Sequence, residues 1–245
     1  MTTAHFKYKL MFVSLLELSF LKLGGKMAKS EKVTREKIIL AFLDSCFAKN
    51  AGGTSLSDVA DRLGIKKASL YNHYESRDAM VEDCVRWCGD YYRKTYFIPT
   101  DIEAISERYP AENVMKAIVN RWFKMNEKEP LMQIYSFIES EKYISTAAAK
   151  IAQETRDKLV NQAKQALRSL AKAKKILDLE ENDLETLAKM FASLTVSSLD
   201  SYIVTKKIEI RSNPEGGAGS LFDVKSESDY SAIDELVTTF CSMLK

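Results

Sequence analysis

From residue 34 onward, apolar positions recur at three- and four-residue spacing, the period of an amphipathic helix, almost without interruption. Thr34 stands where it can cap a first helix whose apolar side is Ile38, Ile39, Phe42, Leu43, Cys46 and Phe47. Ala51-Gly52-Gly53 breaks that pattern. Ser55-Leu56-Ser57-Asp58 then has the form of a capping box, so a second helix starts there with Leu56, Val59, Ala60 and Leu63 turned inward. Gly64 makes a tight turn, and a short third helix is predicted over 66–74. Ser76 caps a long fourth helix that runs to about Phe97 and is stopped by Pro99. Further helices are predicted over 100–109, with a T-x-x-E start, and over 111–128, 131–141, 145 to about 175, 181 to about 207, and 229–244. The stretch 211–228 reads as a long loop. No strand alternation of useful length, internal repeat or low-complexity tract interrupts this order. The predicted fold class is all-α.

Composition agrees with that pattern. Nine glycines and four prolines in 245 residues are few, as long helices require and turn-rich β folds do not. The net charge of +2 carries no overall attraction for polyanions, so any nucleic-acid contact must come from local placement of charge. Four cysteines without regular spacing, in a chain long enough to build its own core, point to the reducing cytoplasm rather than to a disulfide framework.

The N-terminal stretch KLMFVSLLELSFLKLGG has a basic start and an apolar run, as a signal peptide has. Glu17 and Lys22 interrupt the run, no small-x-small cleavage site follows, and it is too short and too charged to span a bilayer. Leu23-Gly24-Gly25-Lys26-Met27 can be encoded by a string containing AGGAGG just before a start codon. Residues 1–30 are therefore read as an extension, with the native start expected at Met27. The alternative is an amphipathic extension that belongs to the protein.

The richest chemistry lies in GIKKASLYNHYESR, residues 64–77. Leu56 to Tyr74 is helix, glycine turn, helix, with an apolar helix before it, which is the helix-turn-helix arrangement. In that motif the second helix enters the major groove and its N-terminal residues meet base edges. Ile65, Leu70 and Tyr74 occupy positions that face a small core. Lys66, Lys67, Ser69, Asn72 and His73 remain outside, with Tyr71 partly so. Lysine serves phosphate or guanine, asparagine pairs with adenine, and tyrosine and histidine donate to phosphate oxygens. Isolated lysines would read as a solvated helix face. This set on one glycine-turn helix does not.

Residues 34–81 resemble the DNA-binding domain of the TetR family of bacterial transcriptional regulators. The resemblance is carried by Thr54 or Ser55 spaced from Val59-Ala60, by the Gly64-Ile65 turn, by Leu70-Tyr71-x-His73-Tyr74, and by Ser76-Arg77-Asp78 at the start of the fourth helix. It covers about a fifth of the chain; the remaining helices agree with the family in number, length and order only. Lys66 stands where the family has a small capping residue, which shifts its role from capping toward phosphate contact, and Ala68 stands where glycine is common. The resemblance implies that Ser55, Tyr71, His73 and Arg77 hold the DNA backbone while Lys67, Ala68, Ser69 and Asn72 face bases. It implies a DNA-binding domain over 31–78 and a helical ligand-binding and dimerisation domain over 79–245. Tyr92, Met115, Trp122, Phe123, Met125, Met132, Tyr135 and Phe137 are candidates to line a ligand cavity, against plain core filling. Leu184, Leu187, Phe191, Leu194, Leu199, Ile233, Leu236, Val237 and Phe240, on the last two helices, are candidates for a four-helix dimer interface, against intramolecular packing.

The expected partners are a palindromic DNA operator, a small-molecule effector and a second copy of the chain, with no cofactor, no metal and no membrane. Cys84 and Cys88 lie one turn apart on the fourth helix, a spacing compatible with a metal or redox role, but His5 and His73 are the only histidines available to help. No nucleophile elbow, phosphate loop, histidine pair or glycine fingerprint suggests an enzyme. The competing class is a helical adaptor that uses residues 56–74 for protein contacts.

Overall fold

A computed structural model describes residues 32–212 and 230–245 of the chain. The expected start at Met27 lies outside the described residues, as does the predicted loop from 213 on. Among the described residues there are ten α-helices and no strand: α1 Arg35–Lys49, α2 Leu56–Leu63, α3 Lys67–Leu70, α4 Arg77–Lys94, α5 Ile102–Arg108, α6 Ala111–Asn126, α7 Leu131–Glu141, α8 Thr146–Lys172, α9 Glu181–Ser212 and α10 Ser231–Ser242.

Local chemistry sets most of the boundaries. Ser55 Oγ accepts from the Asp58 amide at 3.2 Å, and Asp58 Oδ2 accepts from the Ser55 amide at 2.8 Å, so the expected capping box closes at the start of α2. Gly64 ends α2 in the left-handed region, at φ 65°, which glycine adopts without steric cost. Ser76 Oγ accepts from the Ala79 amide and starts α4. α9 continues to Ser212, past the expected end near 207 and into the stretch 211–228 read as a loop. Three other boundaries differ from expectation. Regular helix in α3 covers only Lys67–Leu70, and the turn through Tyr74 is closed by amides of Asn72, His73 and Tyr74 donating to Ser69 and Leu70 carbonyls. α4 stops at Lys94 because Thr95 turns extended and its Oγ1 donates back to the Tyr91 carbonyl. α5 begins after Asp101 with no side-chain cap, so Thr100 does not cap it.

Packing then joins the elements. α8 and α9 run against each other, with α5 and α4 on α8 and α10 beside α6. Their shared core includes Trp122, whose ring meets Phe97 edge-on at 3.9 Å between centroids, and Phe191, packed on Phe240 at 5.3 Å. Gln162 Oε1 accepts from the amides of Phe97 and Ile98, fixing the α4–α5 connection on α8. α1 packs on α2 and, with comparable extent, on α7. Residues Arg35–Lys245 form one compact unit.

Candidate nucleic-acid interface

α3 is short, so its presentation depends on what holds it from behind. Leu70 and Tyr74 are buried and Ile65 half-buried, as their apolar positions predict. Tyr74 Oη donates to Asp83 Oδ2 at 2.8 Å, which ties the end of α3 to α4. Arg35 of α1 lies over the Tyr74 ring at 5.2 Å and donates from Nη2 to the His73 carbonyl at 3.1 Å. Burial and the neighbouring Asp83 carboxylate push the Tyr74 phenol well above its usual range, so it stays a neutral donor. Burial also acts on Asp83, against its ionisation, but hydrogen bonds from Arg86 and Tyr74 bring its carboxyl below the usual value.

On the outer side, Lys66, Lys67, Ala68, Tyr71 and Asn72 are exposed, and Ser69 and His73 half-buried. Tyr71 keeps 51% of its surface in solvent, a high value for an aromatic ring with no protein partner to shield it. Lys66 precedes α3 with extended backbone and makes no side-chain cap. Its ammonium is thus left for other partners. Ser55 is exposed, but its hydroxyl is engaged with Asp58, which also binds Lys49 at 2.6 Å. The Lys49 ammonium and the Ser55 amide hold the Asp58 carboxyl well below the usual range.

Arg77 sits differently from its neighbours. Its Nε donates to the Thr54 carbonyl at 3.0 Å, and its Nη2 to the Ala51 carbonyl. The guanidinium therefore fastens the α1–α2 loop from within, where a glycine-rich turn leaves carbonyls without helical partners. Arg35, Asp83 and Lys49 had no signal in the sequence pattern, because each acts on a residue brought near only by folding.

Behind this unit a small cavity of about 20 Å³, room for about one water, lies among Tyr92 of α4, Trp122 of α6, Tyr135 and Glu139 of α7, Thr155 and Arg156 of α8, and Val196 of α9. Three of the eight cavity candidates, Tyr92, Trp122 and Tyr135, line it. Met115 and Met132 are buried elsewhere in the core, and Met125 is half-buried. Phe123 packs on Tyr202 and Tyr230, and Phe137 on Phe42. Tyr135 Oη donates to Asp200 at 3.1 Å, and Glu139 accepts from Lys142 and, at 3.5 Å, from Arg156.

Of the residues expected at a dimer interface, Leu184, Phe191, Leu199, Ile233, Val237 and Phe240 are buried by their own chain. A side chain already sealed inside one molecule has no surface left for a second, so these six fill the core. Leu187 and Leu194 are half-buried, and Leu236 is 48% exposed. Met190, Val204 and Ile208 of α9 and Met243 just after α10 are also exposed.

The cysteines are buried thiols. Burial pushes Cys46 up to about 12 and Cys241 up to about 11, and burial, with the Cys88 thiol beside it, raises Cys84 well above its usual value. Thiols held neutral in this way are poor nucleophiles and poor metal ligands. Among the described residues no helix is long and apolar enough to cross a membrane.

Among the described residues, the capped α2, the left-handed glycine turn and the short α3 with its polar outer face make a helix-turn-helix arrangement. Residues 44–84 match the family described as bacterial regulatory proteins, tetR family. The biofilm operon icaADBC HTH-type negative transcriptional regulator IcaR of Staphylococcus aureus is 40% identical over 57 residues, 23% of this chain and 31% of that protein. The homologous regulator of Staphylococcus epidermidis is 34% identical over 58 residues, 24% of this chain and 31% of its own length. The chain thus spans about a third of the curated relatives it matches. Among solved structures, a TetR-like transcriptional regulator from Rhodococcus has TM-score 0.53 at 15% identity, covering 87% of this chain and 97% of that one. A putative transcriptional regulator from Saccharomonospora viridis, solved in complex with choline, has TM-score 0.53 at 13% identity, covering 85% and 95%. Residues 44–84 thus carry a segment similar to the DNA-binding segment of the tetR family, and the chain shares the fold of TetR-like regulators.

Proposed function

We propose that the protein is a ligand-responsive repressor that binds a palindromic operator as a dimer in the cytoplasm and is released by a small-molecule effector. The observation that carries the reading is α3. Its exposed Lys67, Tyr71 and Asn72 stand on a buried Leu70 and Tyr74, so its outer face is polar, basic and rigidly backed. Asn72, Lys67, Ser69 and Ala68 meet base edges, and Tyr71, His73, Lys66 and Ser55 contact phosphates. Arg77 serves the same end from inside, by holding the loop that presents Ser55. Residues 31–78 form the DNA-binding domain and 79–245 the effector and dimerisation domain. The repressor sign is supported by the IcaR relatives, which are negative regulators by name.

The effector enters among Tyr92, Trp122 and Tyr135, where the cavity must widen from its present size to take an organic molecule. The second copy docks on the outward side chains of α9 and α10, Met190, Leu194, Val204, Ile208 and Leu236, rather than on the buried set. Fluorescence anisotropy with duplexes selected from a random pool tests the reading. Binding to an inverted repeat should weaken steeply as salt rises, with a log–log slope of about −0.9 per phosphate contact. Insertion of roughly five base pairs between half-sites should abolish tight binding, because the two recognition helices then face different sides of the duplex. No duplex binding at any salt would return the protein to the adaptor class.

A further inference from the structure

We infer that the ligand of the core cavity is a small carboxylic acid whose apolar body carries a further oxygen acceptor. The inference rests on the reading of this cavity as the effector site and names the class of molecule the site takes. It follows from which polar groups of the wall already have partners. Three are engaged within the chain. The Tyr135 hydroxyl donates to Asp200 at 3.1 Å. The Thr155 hydroxyl donates to the Ile151 carbonyl at 2.8 Å. Glu139, the carboxylate of the wall, accepts from both Lys142 and Arg156.

The groups that remain are donors. Trp122 Nε1 is sealed from solvent and has no hydrogen-bond partner among the described residues. An indole N–H can only donate, and a buried donor calls for an acceptor. The Tyr92 hydroxyl also has no partner among the described residues, and burial holds its phenol well above the usual range, so it stays an O–H. Arg156 touches Glu139 at 3.5 Å, long for a hydrogen bond, which leaves most of its guanidinium fork open to an incoming acceptor. A wall with donors to offer, and with its own carboxylate doubly engaged, selects a molecule rich in acceptors.

Placement decides the form of that molecule. Tyr92 and Trp122 are buried, whereas Thr155 is half-buried and Arg156 exposed, so the cavity has a sealed aromatic end and a mouth at Arg156. Ile138 and Leu159 extend the apolar wall. The apolar body therefore goes inward, and its oxygen meets the indole N–H and the phenol. The charged group stays at the mouth, where a guanidinium pairs with a planar carboxylate through two parallel bonds. Lys142 offsets Glu139, and Asp200 is exposed and outside the wall, so Arg156 is the charge a monoanion answers.

The test reads binding alone, with the full chain and no DNA. Trp87 and Trp122 are the two tryptophans, so Trp87→Phe leaves Trp122 as the fluorescent reporter. Its emission is titrated with 4-methoxybenzoate, the neutral 4-methoxybenzamide and the cationic 4-methoxybenzamidine, which share one body and differ in charge. A fourth probe, 4-ethylbenzoate, lacks the inner oxygen. The methoxy acid should bind about tenfold more tightly than its amide, as one charge-assisted pair implies, and the amidine should bind more weakly than either. The ethyl acid should bind about threefold more weakly than the methoxy acid. Arg156→Gln should bring the methoxy acid down to the affinity of the amide and leave the amide unchanged. Val196→Met, which fills the cavity from α9, should abolish binding; if it does not fold, Ala152→Met fills the cavity from α8. Equal affinity for acid and amide, a preference for the amidine, or acid binding indifferent to Arg156→Gln overturns the acid assignment and leaves the cavity as an effector site. An ethyl acid that binds as tightly as the methoxy acid overturns the inner oxygen. No binding by any of the four overturns the proposal, and binding that survives the filled cavity overturns the effector reading as well.

Discussion

Removing one oxygen atom, in Tyr74→Phe, tests how α3 is held. Tyr74 is 6% exposed and its hydroxyl donates to Asp83 Oδ2 at 2.8 Å. A hydrogen bond to a charged acceptor contributes about 1.5–3 kcal/mol. Asp83 keeps its contact with Arg86 at 2.8 Å, so the loss should sit at the low end, about 1–2 kcal/mol. The pH dependence makes the test specific. The Tyr74 phenol is raised in the folded protein by burial and by Asp83, whereas in the unfolded chain it ionises near its ordinary value of about 10. A raised acid contributes stability that is fully present below the unfolded value and is lost as pH rises toward the folded one. Between pH 9 and 11 the parent should therefore lose about 1.4 kcal/mol that the variant does not, since one pH unit beyond the unfolded value is worth that much. The two stabilities, separated at pH 8, should converge near pH 11. Urea unfolding followed by circular dichroism at pH 8, 9, 10 and 11 measures this, and the other tyrosines cancel between the two proteins. A separation that stays constant across that range would mean that Tyr74 ionises freely in the fold, and the argument would fail.

Asn72→Ala should relax sequence preference at one base pair at a cost of about 1–3 kcal/mol, whereas Tyr71→Phe should weaken all duplexes evenly; exchanged behaviour in a selection experiment would mean that the outward face is rotated. Ser55→Ala should cost about 1 kcal/mol of stability through the lost cap of α2, measurable by urea unfolding even without DNA. The native protein at pH 8 should leave a colourimetric thiol reagent unreacted and release all four thiols on denaturation, because all four are buried out of its reach; rapid native reaction would reopen a redox role for Cys84 and Cys88. Gly89→Val should destabilise by about 1–3 kcal/mol, since a Cβ there already meets Ile151 Cδ1 at 3.0 Å and a branched side chain overpacks the crossing of α4 and α8.

The sequence by itself determined what depends on neighbours along the chain. Helical period, the Ser55–Asp58 box, the Ser76 cap and the Gly64 turn are local, so their residues announced them, and the ten helices fall close to the predicted spans. The polar face of α3 was legible for the same reason: a four-residue helix and the single turn after it have few ways to bury Leu70 and Tyr74 and expose the rest. Tertiary structure decided everything that depends on which apolar face meets which. Periodicity marks Leu184, Phe191 and Val237 as inward-facing, but a core and a dimer interface ask for the same residues, and only packing assigns these to the core. Gly89 reads as a soft point in a helix, and in the fold it is the contact that lets α8 approach α4. Arg77 reads as a surface cation beside DNA, yet the carbonyls of Ala51 and Thr54, more than twenty residues earlier, claim its guanidinium. Charge and polarity are properties of a residue, whereas the partner that satisfies them is a property of the fold.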